Sequence, residues 1–394
     1  MTLRRRSVVL IAAIAAAASC GEAGGAAGRK AQTTAQPPAP EGALAIKEEV
    51  LATGLVNPWS LAFLPDGAIL VSERDGRIRV IRNGALVAEP VAGTPEPYVR
   101  SQAGLFDLLL HPDFAQNRTI YLSYAAGTAD SNATRVVAAS FDGARLTDVR
   151  TIFETRDKKS TAAHYGARMA LLPDRTLLVT VGDGFDHREK AQDLSSGFGK
   201  IVRINLDGTI PKDNPFAGRQ GALPETYSYG HRNQQGLAID PETGVIYETE
   251  HGPKGGDEIN ILTAGANYGW PIATYGIDYS GAVISPYTER PGTEQPIKYW
   301  VPSIAPSGLA VYRGSLFADW NGDLLVGALS RGSPVLGGLH RIDIENGVIV
   351  GEERYLPDSR VRDVRVGPDG AIYVTTEDRK GAPVGEVIRL TPAR

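Results

Sequence analysis

Cysteine is almost absent from this sequence. The 394 residues contain a single cysteine, Cys20, so the chain forms no intrachain disulfide and carries no thiol in its core. A surplus of positive charge is also missing, since 41 lysines and arginines stand against 45 aspartates and glutamates. Without a basic stripe to neutralise phosphates, the sequence does not favour nucleic acid as a partner. Beyond the N-terminal segment, no long stretch repeats its apolar residues with helical spacing, which excludes a helical bundle.

The N-terminus has the composition of an export signal. Arg4, Arg5 and Arg6 precede an apolar stretch that is too short to span a bilayer, and small residues lead to Cys20. This pattern resembles the bacterial lipobox, although Ala17 stands where leucine is commoner. We therefore expect an exported protein, periplasmic or at the cell surface, whose only membrane attachment is a lipid anchor at Cys20. Ordinary signal cleavage near this point is the alternative.

The remaining chain divides into a tether and a folded domain. We predict a signal peptide over residues 1–20, a flexible tether over residues 21–44, and a single domain over residues 45–394. The tether consists mostly of Gly, Ala, Pro, Gln and Thr, with few large apolar residues. Across the whole chain 42% of residues are hydrophobic and 22% are charged, which is the composition of a globular protein.

One hairpin pattern occurs six times in the predicted domain. Each copy is a short apolar strand, a turn built from Pro, Asp, Gly or Asn, and a second strand rich in Ile, Leu, Val and Tyr. The copies begin at Leu61, Leu108, Met169, Leu237, Leu309 and Val364. Their spacing leaves room for four strands in each repeat, which predicts an all-β, six-bladed β-propeller. Two β-sandwiches in tandem are the alternative, but sandwiches do not require the same hairpin six times.

Five stretches depart from this pattern of polar turns and apolar strands. They read "SQAGLFDLLLHPDF", "HYGARMALLPDRTLLVTVGDG", "YSYGHRNQQGLAIDP", "ETEHGPKGGDEINILTAGANYGWP" and "SRVRDVRVGPDG". Together they resemble the soluble, quinoprotein glucose/sorbosone dehydrogenase family, and most closely its aldose sugar dehydrogenase branch. The resemblance covers nearly the whole domain, with the motifs in family order. It implies a six-bladed propeller that uses pyrroloquinoline quinone and Ca²⁺.

His164 is the candidate catalytic base. An imidazole titrates near neutrality, which suits the removal of a hydroxyl proton, and His164 stands just before a strand that would face the channel. The resemblance matches "HYGAR" to the family motif that holds the base. It matches Asp183, in "VGDG", to the carboxylate that orients this base. A structural histidine at the rim and an ordinary turn aspartate are the alternatives.

Five residues are candidates for holding the quinone. The forked donors of Arg232 and Asn233 suit a flat, carboxylated ligand, and the resemblance places Arg232 at the reactive quinone oxygen as a catalytic residue. Arg360 and Arg362 alternate along one strand and so share a face, where the resemblance pairs them with cofactor carboxylates. The resemblance adds Gln102, in "QAGL". Solvated ion pairs and a loop amide that caps a turn are the alternatives.

One position departs from the family pattern. Where relatives carry a lysine in a segment such as "LKRG", this chain reads "LSRG", with Ser330. The neighbouring Arg331 would point to the other face of a strand. The sequence therefore lacks one cationic contact to the cofactor.

Two calcium sites are implied by the resemblance. A Gly-Pro bend leaves its carbonyls free to face an ion, and family members hold one Ca²⁺ in this way, which implicates Gly252 and Pro253. A second Ca²⁺ is held in the family by a Glu and a Tyr carbonyl, matched here by Glu258 and Tyr268. A plain turn and a solvated loop charge are the alternatives.

The predicted activity is the oxidation of an aldose sugar at its anomeric carbon to a lactone, with electrons passed to an external acceptor. A calcium-dependent lactonase on a six-bladed propeller is one alternative, but that enzyme needs metal-binding carboxylates at the channel centre. A propeller that binds a glycan or a protein partner without catalysis is the other, because propellers host many functions.

Overall fold

The computed structural model describes residues 40–330, 337–379 and 384–393. The predicted signal peptide, Cys20 and Arg331 lie outside the described residues. The backbone of Pro40 and Gly42 already exchanges hydrogen bonds with Arg354, ahead of the predicted start of the domain at Ala45.

The described strands form six antiparallel sheets of four strands each. The predicted all-β, six-bladed propeller is therefore confirmed. Strands β2 to β21 fill five blades in chain order. Blade 1 contains β2 (Pro58–Phe63), β3 (Ile69–Glu73), β4 (Arg77–Arg82) and β5 (Ala85–Leu86). Blade 2 contains β6 (Leu105–Leu110), β7 (Thr119–Gly127), β8 (Asn132–Phe141) and β9 (Leu146–Glu154). Blade 3 contains β10 (Met169–Leu171), β11 (Thr176–Val181), β12 (Lys200–Asn205) and β13 (Thr226–Tyr229).

Blade 4 carries the longest loop of the site, between its last two strands, and blade 5 follows it. Blade 4 contains β14 (Gln234–Ile239), β15 (Ile246–Glu250), β16 (Asp257–Ile261) and β17 (Lys298–Trp300). Blade 5 contains β18 (Pro306–Val311), β19 (Leu324–Ala328), β20 (Gly338–Glu345) and β21 (Val348–Tyr355).

Among the described residues, helix is confined to α1 (Phe114–Asn117) and to two 3₁₀ turns at Arg188–Gln192 and Ala318–Trp320. No helix in these ranges is long and apolar enough to cross a membrane.

Blade 6 closes the ring with strands from both ends of the domain. It contains β22 (Ser359–Val366), β23 (Ile372–Arg379), β24 (Gly385–Pro392) and β1 (Ile46–Leu55). Strand β1 pairs antiparallel with β24, from Ile46 opposite Pro392 to Leu55 opposite Gly385. The first strand of the domain is thus the outermost strand of the last blade, which ties the two ends of the propeller together by backbone hydrogen bonds.

Short turns join the first two strands of the blades. Asp66, Asp174, Asp240 and Asp369 each accept a hydrogen bond from the backbone amide two residues later. This local bond stabilises the reversal that the Pro-Asp pattern predicts. Apolar residues of adjacent blades then pack face to face, as Leu70 of β3 and Leu108 of β6 do between blades 1 and 2.

Buried ion pairs close the central channel below the site. Arg168 is 1% exposed, and its guanidinium lies 3.0 Å from an oxygen of Asp363 and 3.4 Å from an oxygen of Asp107. Arg365 pairs with the same two carboxylates, at 3.0 and 3.1 Å. The four charges neutralise one another, so the aspartates at the channel centre are not free to hold a metal ion as a lactonase would require.

Candidate functional site

The inner strand of each blade begins at the same mouth of the channel, and the predicted site residues meet there. A cavity of about 260 Å³ opens at this mouth. Aromatic side chains line part of it, and its polar lining includes Gln102, Asn233, Glu377 and three arginines. The aromatic residues are Trp59, Phe106 and Tyr165, and the arginines are Arg74, Arg360 and Arg362.

His164 and Asp183 form a buried hydrogen-bonded pair beside this cavity. Nδ1 of His164 lies 2.7 Å from Oδ1 of Asp183, and the two residues are 5% and 1% exposed. Oδ2 of Asp183 accepts a hydrogen bond from the Trp270 indole at 2.8 Å, and Oδ1 accepts one from the Phe185 amide. Burial raises the pKa of Asp183, but the hydrogen bond and charge of His164 outweigh burial and hold that pKa below its usual value. Asp183 is therefore an ionised acceptor, which places the imidazole hydrogen on Nδ1.

The free ring nitrogen of His164 faces a second cavity. This cavity measures about 310 Å³ and is lined by His164, Asp183, Arg232, Trp270 and Tyr279. Burial lowers the pKa of His164, and the Arg232 charge lowers it further, against the opposing effect of Asp183. The imidazole is therefore neutral at neutral pH, with Nε2 able to accept a proton.

Several contacts hold the backbone of His164 in a left-handed conformation. Its φ is 52°, in the left-handed region, and its amide donates to Oε1 of Gln102 at 2.9 Å. Lys159 donates to the His164 carbonyl at 3.1 Å, and burial lowers the pKa of this lysine to about 7. Gly182 packs against the same carbonyl so closely that a Cβ would lie 2.4 Å from its oxygen. The turn that carries His164 is thus fixed from three sides.

Arg232 contacts both the cavity of the candidate base and the predicted calcium ligand Gly252. It is 5% exposed, and its Nη1 donates to the carbonyls of His251 at 2.9 Å and Gly252 at 2.6 Å. Its guanidinium also faces the Trp270 ring at 5.3 Å. The neighbouring Asn233 accepts a hydrogen bond from the Gly166 amide at 3.3 Å, which links blade 4 to the turn of His164.

Arg360 and Arg362 share a face of β22, as their spacing predicts. Both guanidiniums pair with Glu377, Arg360 with Oε2 at 2.8 Å and Arg362 with Oε1. Burial raises the pKa of Glu377, but Arg362 and Arg360 together lower it to about 2. Arg74, which the sequence analysis missed, lines the same cavity, and it forms no ion pair with a described carboxylate. Three guanidiniums against one carboxylate leave this cavity with a positive charge, as a carboxylated ligand requires.

Other lining residues lie outside the family motifs. The loop between β16 and β17 contributes Asp278, Tyr279 and Ile284 to the second cavity, in addition to Trp270, which stands in the motif that ends in "NYGWP". Arg188, from the loop after β11, lies 3.5 Å from Asp278 across the cavity rim. Loop residues that meet from different blades leave no periodic signal in the sequence. Ser330 lies beside the site, where its amide donates to Ile304, and the neighbouring Leu329 lines the first cavity.

The predicted calcium ligands differ in their surroundings. The Gly252 carbonyl is not free, because it accepts the hydrogen bond from Arg232, and Pro253 lines the second cavity. The oxygen keeps a second lone pair, but a dication bound there would lie close to the positive guanidinium of Arg232 and be repelled by it. Glu258 and Tyr268 share no hydrogen bond in the described part of the chain. Burial, with the Glu250 carboxylate, raises the pKa of Glu258 well above its usual value, so that a cation near Glu258 would relieve a real repulsion.

Comparison with known proteins agrees with this geometry. Residues 55–389 match the family described as glucose / sorbosone dehydrogenase. The chain is 40% identical over 355 residues to the aldose sugar dehydrogenase YliI of Escherichia coli, covering 88% of this chain and 93% of that protein. A crystal structure of the soluble aldose sugar dehydrogenase from Escherichia coli, in the apo-form, superposes with a TM-score of 0.83 at 39% identity, covering 89% of this chain and 100% of the other.

A structure with bound cofactor is also similar. The PQQ-bound form of aldose sugar dehydrogenase from Streptomyces coelicolor superposes with a TM-score of 0.71 at 29% identity, covering 90% of this chain and 99% of the other. The family match spans all six blades, and the E. coli enzyme is similar over almost its full length. The chain belongs to the glucose / sorbosone dehydrogenase family.

Proposed function

We propose that this protein is a pyrroloquinoline quinone-dependent aldose sugar dehydrogenase that oxidises the anomeric carbon of an aldose to a lactone. The observation that carries the proposal is the His164–Asp183 pair, whose free Nε2 faces one cavity while a positively charged cavity adjoins it. The cofactor-bound relative from Streptomyces supports the choice of quinone.

The first cavity has the donor set that the quinone needs. Arg74, Arg360 and Arg362 would bind its carboxylates, and the aromatic side chains would pack on its flat rings. Gln102 and Asn233 would donate to its carbonyl oxygens. When bound, the quinone supplies the two-electron acceptor to which the substrate gives its hydride.

This chain's own residues prepare the sugar for that transfer. Nε2 of His164 takes the proton of the anomeric hydroxyl, and Asp183 stabilises the imidazolium that results. Arg232 presents positive charge where the acceptor becomes negative. The loss of proton and hydride leaves a carbonyl at the anomeric carbon, which is the lactone. An external acceptor would take up the two electrons that the sugar gives up.

A reconstitution assay tests this function. Purified protein is incubated with pyrroloquinoline quinone and Ca²⁺, and the reduction of an electron-accepting dye is followed with a panel of aldoses. We expect quinone-dependent dye reduction with at least one aldose and none without the quinone. A protein that binds the quinone but oxidises no aldose in the panel would contradict the proposal.

Calcium at Glu258 and Tyr268 is expected to stabilise the fold even without the quinone, because the ligands come from the domain itself. Binding at a hundredfold excess over Kd would contribute about 2.7 kcal/mol to the free energy of unfolding. A chelator should therefore lower the Tm of the wild type measured by differential scanning fluorimetry. Glu258→Gln should remove this response, whereas Glu289→Gln on the exposed loop should keep it. An unchanged Tm in protein stripped of metal would count against the site.

We also propose that the protein is exported and held at the membrane by a lipid on Cys20. Wild-type protein expressed in bacteria should incorporate a palmitate analogue and fractionate with membranes. Cys20→Ser should lose the label and leave the membrane fraction, because no other cysteine is available. If Cys20→Ser keeps the label and stays in the membrane fraction, the anchor is not at Cys20.

A further inference from the structure

A buried lysine lies beside the turn that carries the candidate base. Lys159 follows β9 and is 4% exposed. Its backbone exchanges two hydrogen bonds with Asn132 at the start of β8, so blade 2 holds its main chain. The side chain reaches from blade 2 to the turn that precedes blade 3. No described carboxylate forms an ion pair with Lys159, which distinguishes it from the paired arginines of the channel.

The lysine side chain contacts three consecutive residues. Its Nζ donates to the carbonyls of Ala163 and His164, the second at 3.1 Å, and lies 3.6 Å from the centroid of the Tyr165 ring. An ammonium group has three hydrogens and no lone pair. Two carbonyl oxygens and the face of an aromatic ring offer it three electron-rich partners. The surroundings of Nζ therefore suit the charged form of the lysine, although the group is buried.

These contacts act on both cavities. His164 lines the second cavity, and the Tyr165 ring lines the first, 5.4 Å from the Phe106 ring. The left-handed backbone of His164 is unfavourable for a residue with a side chain, so contacts from outside the turn must impose it. Gly182 packs against the His164 carbonyl, and Lys159 donates to the oxygen of the same carbonyl. A carbonyl held in this way opposes any rotation of the turn that would swing the imidazole away from its cavity.

The charge of Lys159 also acts on the imidazole. Burial lowers the pKa of His164, and the charges of Arg232 and Lys159 lower it further, against the hydrogen bond and charge of Asp183. The other charged or titratable side chains that line the second cavity are Asp186, Arg188, Asp278 and Tyr279. Burial lowers the pKa of Lys159 itself to about 7, so the lysine is charged in the acidic range in which His164 titrates.

On the basis of the function proposed above, we propose that Lys159 is a positioning residue for the oxidation of the sugar. Its ammonium group fixes the turn of residues 163–165, so that Nε2 of His164 stays directed into the second cavity. Lys159 is not among the residues that line either cavity. It therefore acts through His164 and not on the sugar or the quinone.

Lys159→Met tests the positioning role. Methionine keeps an unbranched side chain beside Gly184 and removes all three hydrogen donors. Because a small displacement of a catalytic group is costly, kcat should fall ~10- to 100-fold. The KM of the sugar should stay close to that of the wild type, since no contact to the sugar is removed. Lys158→Met is the matched control, because this neighbouring lysine is exposed and pairs with Glu154, and it should keep wild-type turnover.

The acid limb of kcat/KM distinguishes positioning of the base from a general loss of stability. Lys159→Met removes a positive charge near the imidazole, so the pKa of His164 should rise and the limb should move to higher pH. Lys159→Arg keeps the charge but presents a larger, planar group, so it should restore the position of the limb more completely than it restores turnover. A lysine that only supports the fold would change the Tm and leave the limb in place.

The same shift can be measured without substrate. The His164 ring is titrated by NMR in the full-length protein, with its signal assigned by the loss of that signal in His164→Ala. We expect the pKa of the ring to rise in Lys159→Met and to stay at the wild-type value in Lys158→Met. If Lys159→Met does not fold, Lys159→Gln, which keeps amide donors but no charge, replaces it and should show the same shift.

Two results would overturn the proposal. In the first, a folded Lys159→Met oxidises aldoses as fast as the wild type does. In the second, turnover falls but the pKa of His164 and the acid limb keep their wild-type values, which would make Lys159 a structural residue of the turn. A wild type that oxidises no aldose would contradict the proposed function instead, and the NMR titration would still show whether Lys159 acts on the imidazole.

Discussion

Replacing His164 by alanine is expected to lower the turnover of aldoses by about 10²- to 10⁴-fold, the range that general-base catalysis supplies. Quinone binding should stay close to that of the wild type. The reason is geometric, because Nδ1 of the ring is bonded to Asp183 and no described residue bonds Nε2. That nitrogen faces the cavity of Trp270 and Tyr279, and not the cavity lined by Arg74, Arg360 and Arg362. Turnover at saturating sugar and quinone affinity are measured separately.

The pH profile of the wild type should also show that His164 acts as the base. Only the neutral imidazole accepts a proton, so kcat/KM should fall as the pH drops through the pKa of His164 in the free enzyme. Burial and the Arg232 charge place this pKa below the ordinary value of 6.5, which shifts the acid limb to lower pH. His111→Ala, a change at the opposite end of blade 2, is the matched control and should alter neither turnover nor the limb. If His164→Ala with full quinone occupancy keeps wild-type turnover, the histidine is a structural residue of the rim.

The sequence predicts the fold because the propeller repeats a local pattern. Each hairpin is determined by residues that are close in the chain, such as the Asp66 side chain and the Ala68 amide. The same local logic correctly placed Arg360 and Arg362 on one face of β22. It did not predict that β1 completes blade 6, because Ile46 and Pro392 are far apart in the chain and the alternation of β1 resembles that of any edge strand.

Only part of the candidate site could be predicted from the sequence, and that part came from the family motifs rather than from a local pattern. His164 and Asp183 were paired through the family motif, since nothing in their spacing requires a contact across the end of β11. Glu377, which pairs with both site arginines, and Arg74, which lines the same cavity, were not found. These residues look like ordinary surface charges in the sequence. Their placement depends on how blades 1 and 6 meet at the channel, which is a property of the closed ring.

We expect the second large effect from Arg232→Ala, which should weaken quinone binding as well as lower turnover, unlike His164→Ala. The guanidinium is buried and makes charged hydrogen bonds to the carbonyls of His251 and Gly252. In the proposed reaction its charge would stabilise the quinone oxygen as that oxygen becomes negative. Loss of such a donor lowers turnover by roughly 10²- to 10³-fold. Quinone binding should weaken as well, by about 10- to 100-fold, the equivalent of one charge-assisted hydrogen bond.

The pH profile separates the roles of the two residues. Because the Arg232 charge lowers the pKa of His164, its removal should raise that pKa and move the acid limb of kcat/KM to higher pH. Arg232→Lys keeps a charge but not the forked donors, so it should restore the position of the limb more completely than it restores turnover. Arg290→Ala, on the exposed loop of blade 4, is the matched control and should leave binding, turnover and the limb unchanged. If Arg232→Ala lowers turnover but leaves quinone affinity and the acid limb at wild-type values, Arg232 does not act on the cofactor or on the base. Its contribution would then be limited to holding the bend at Gly252.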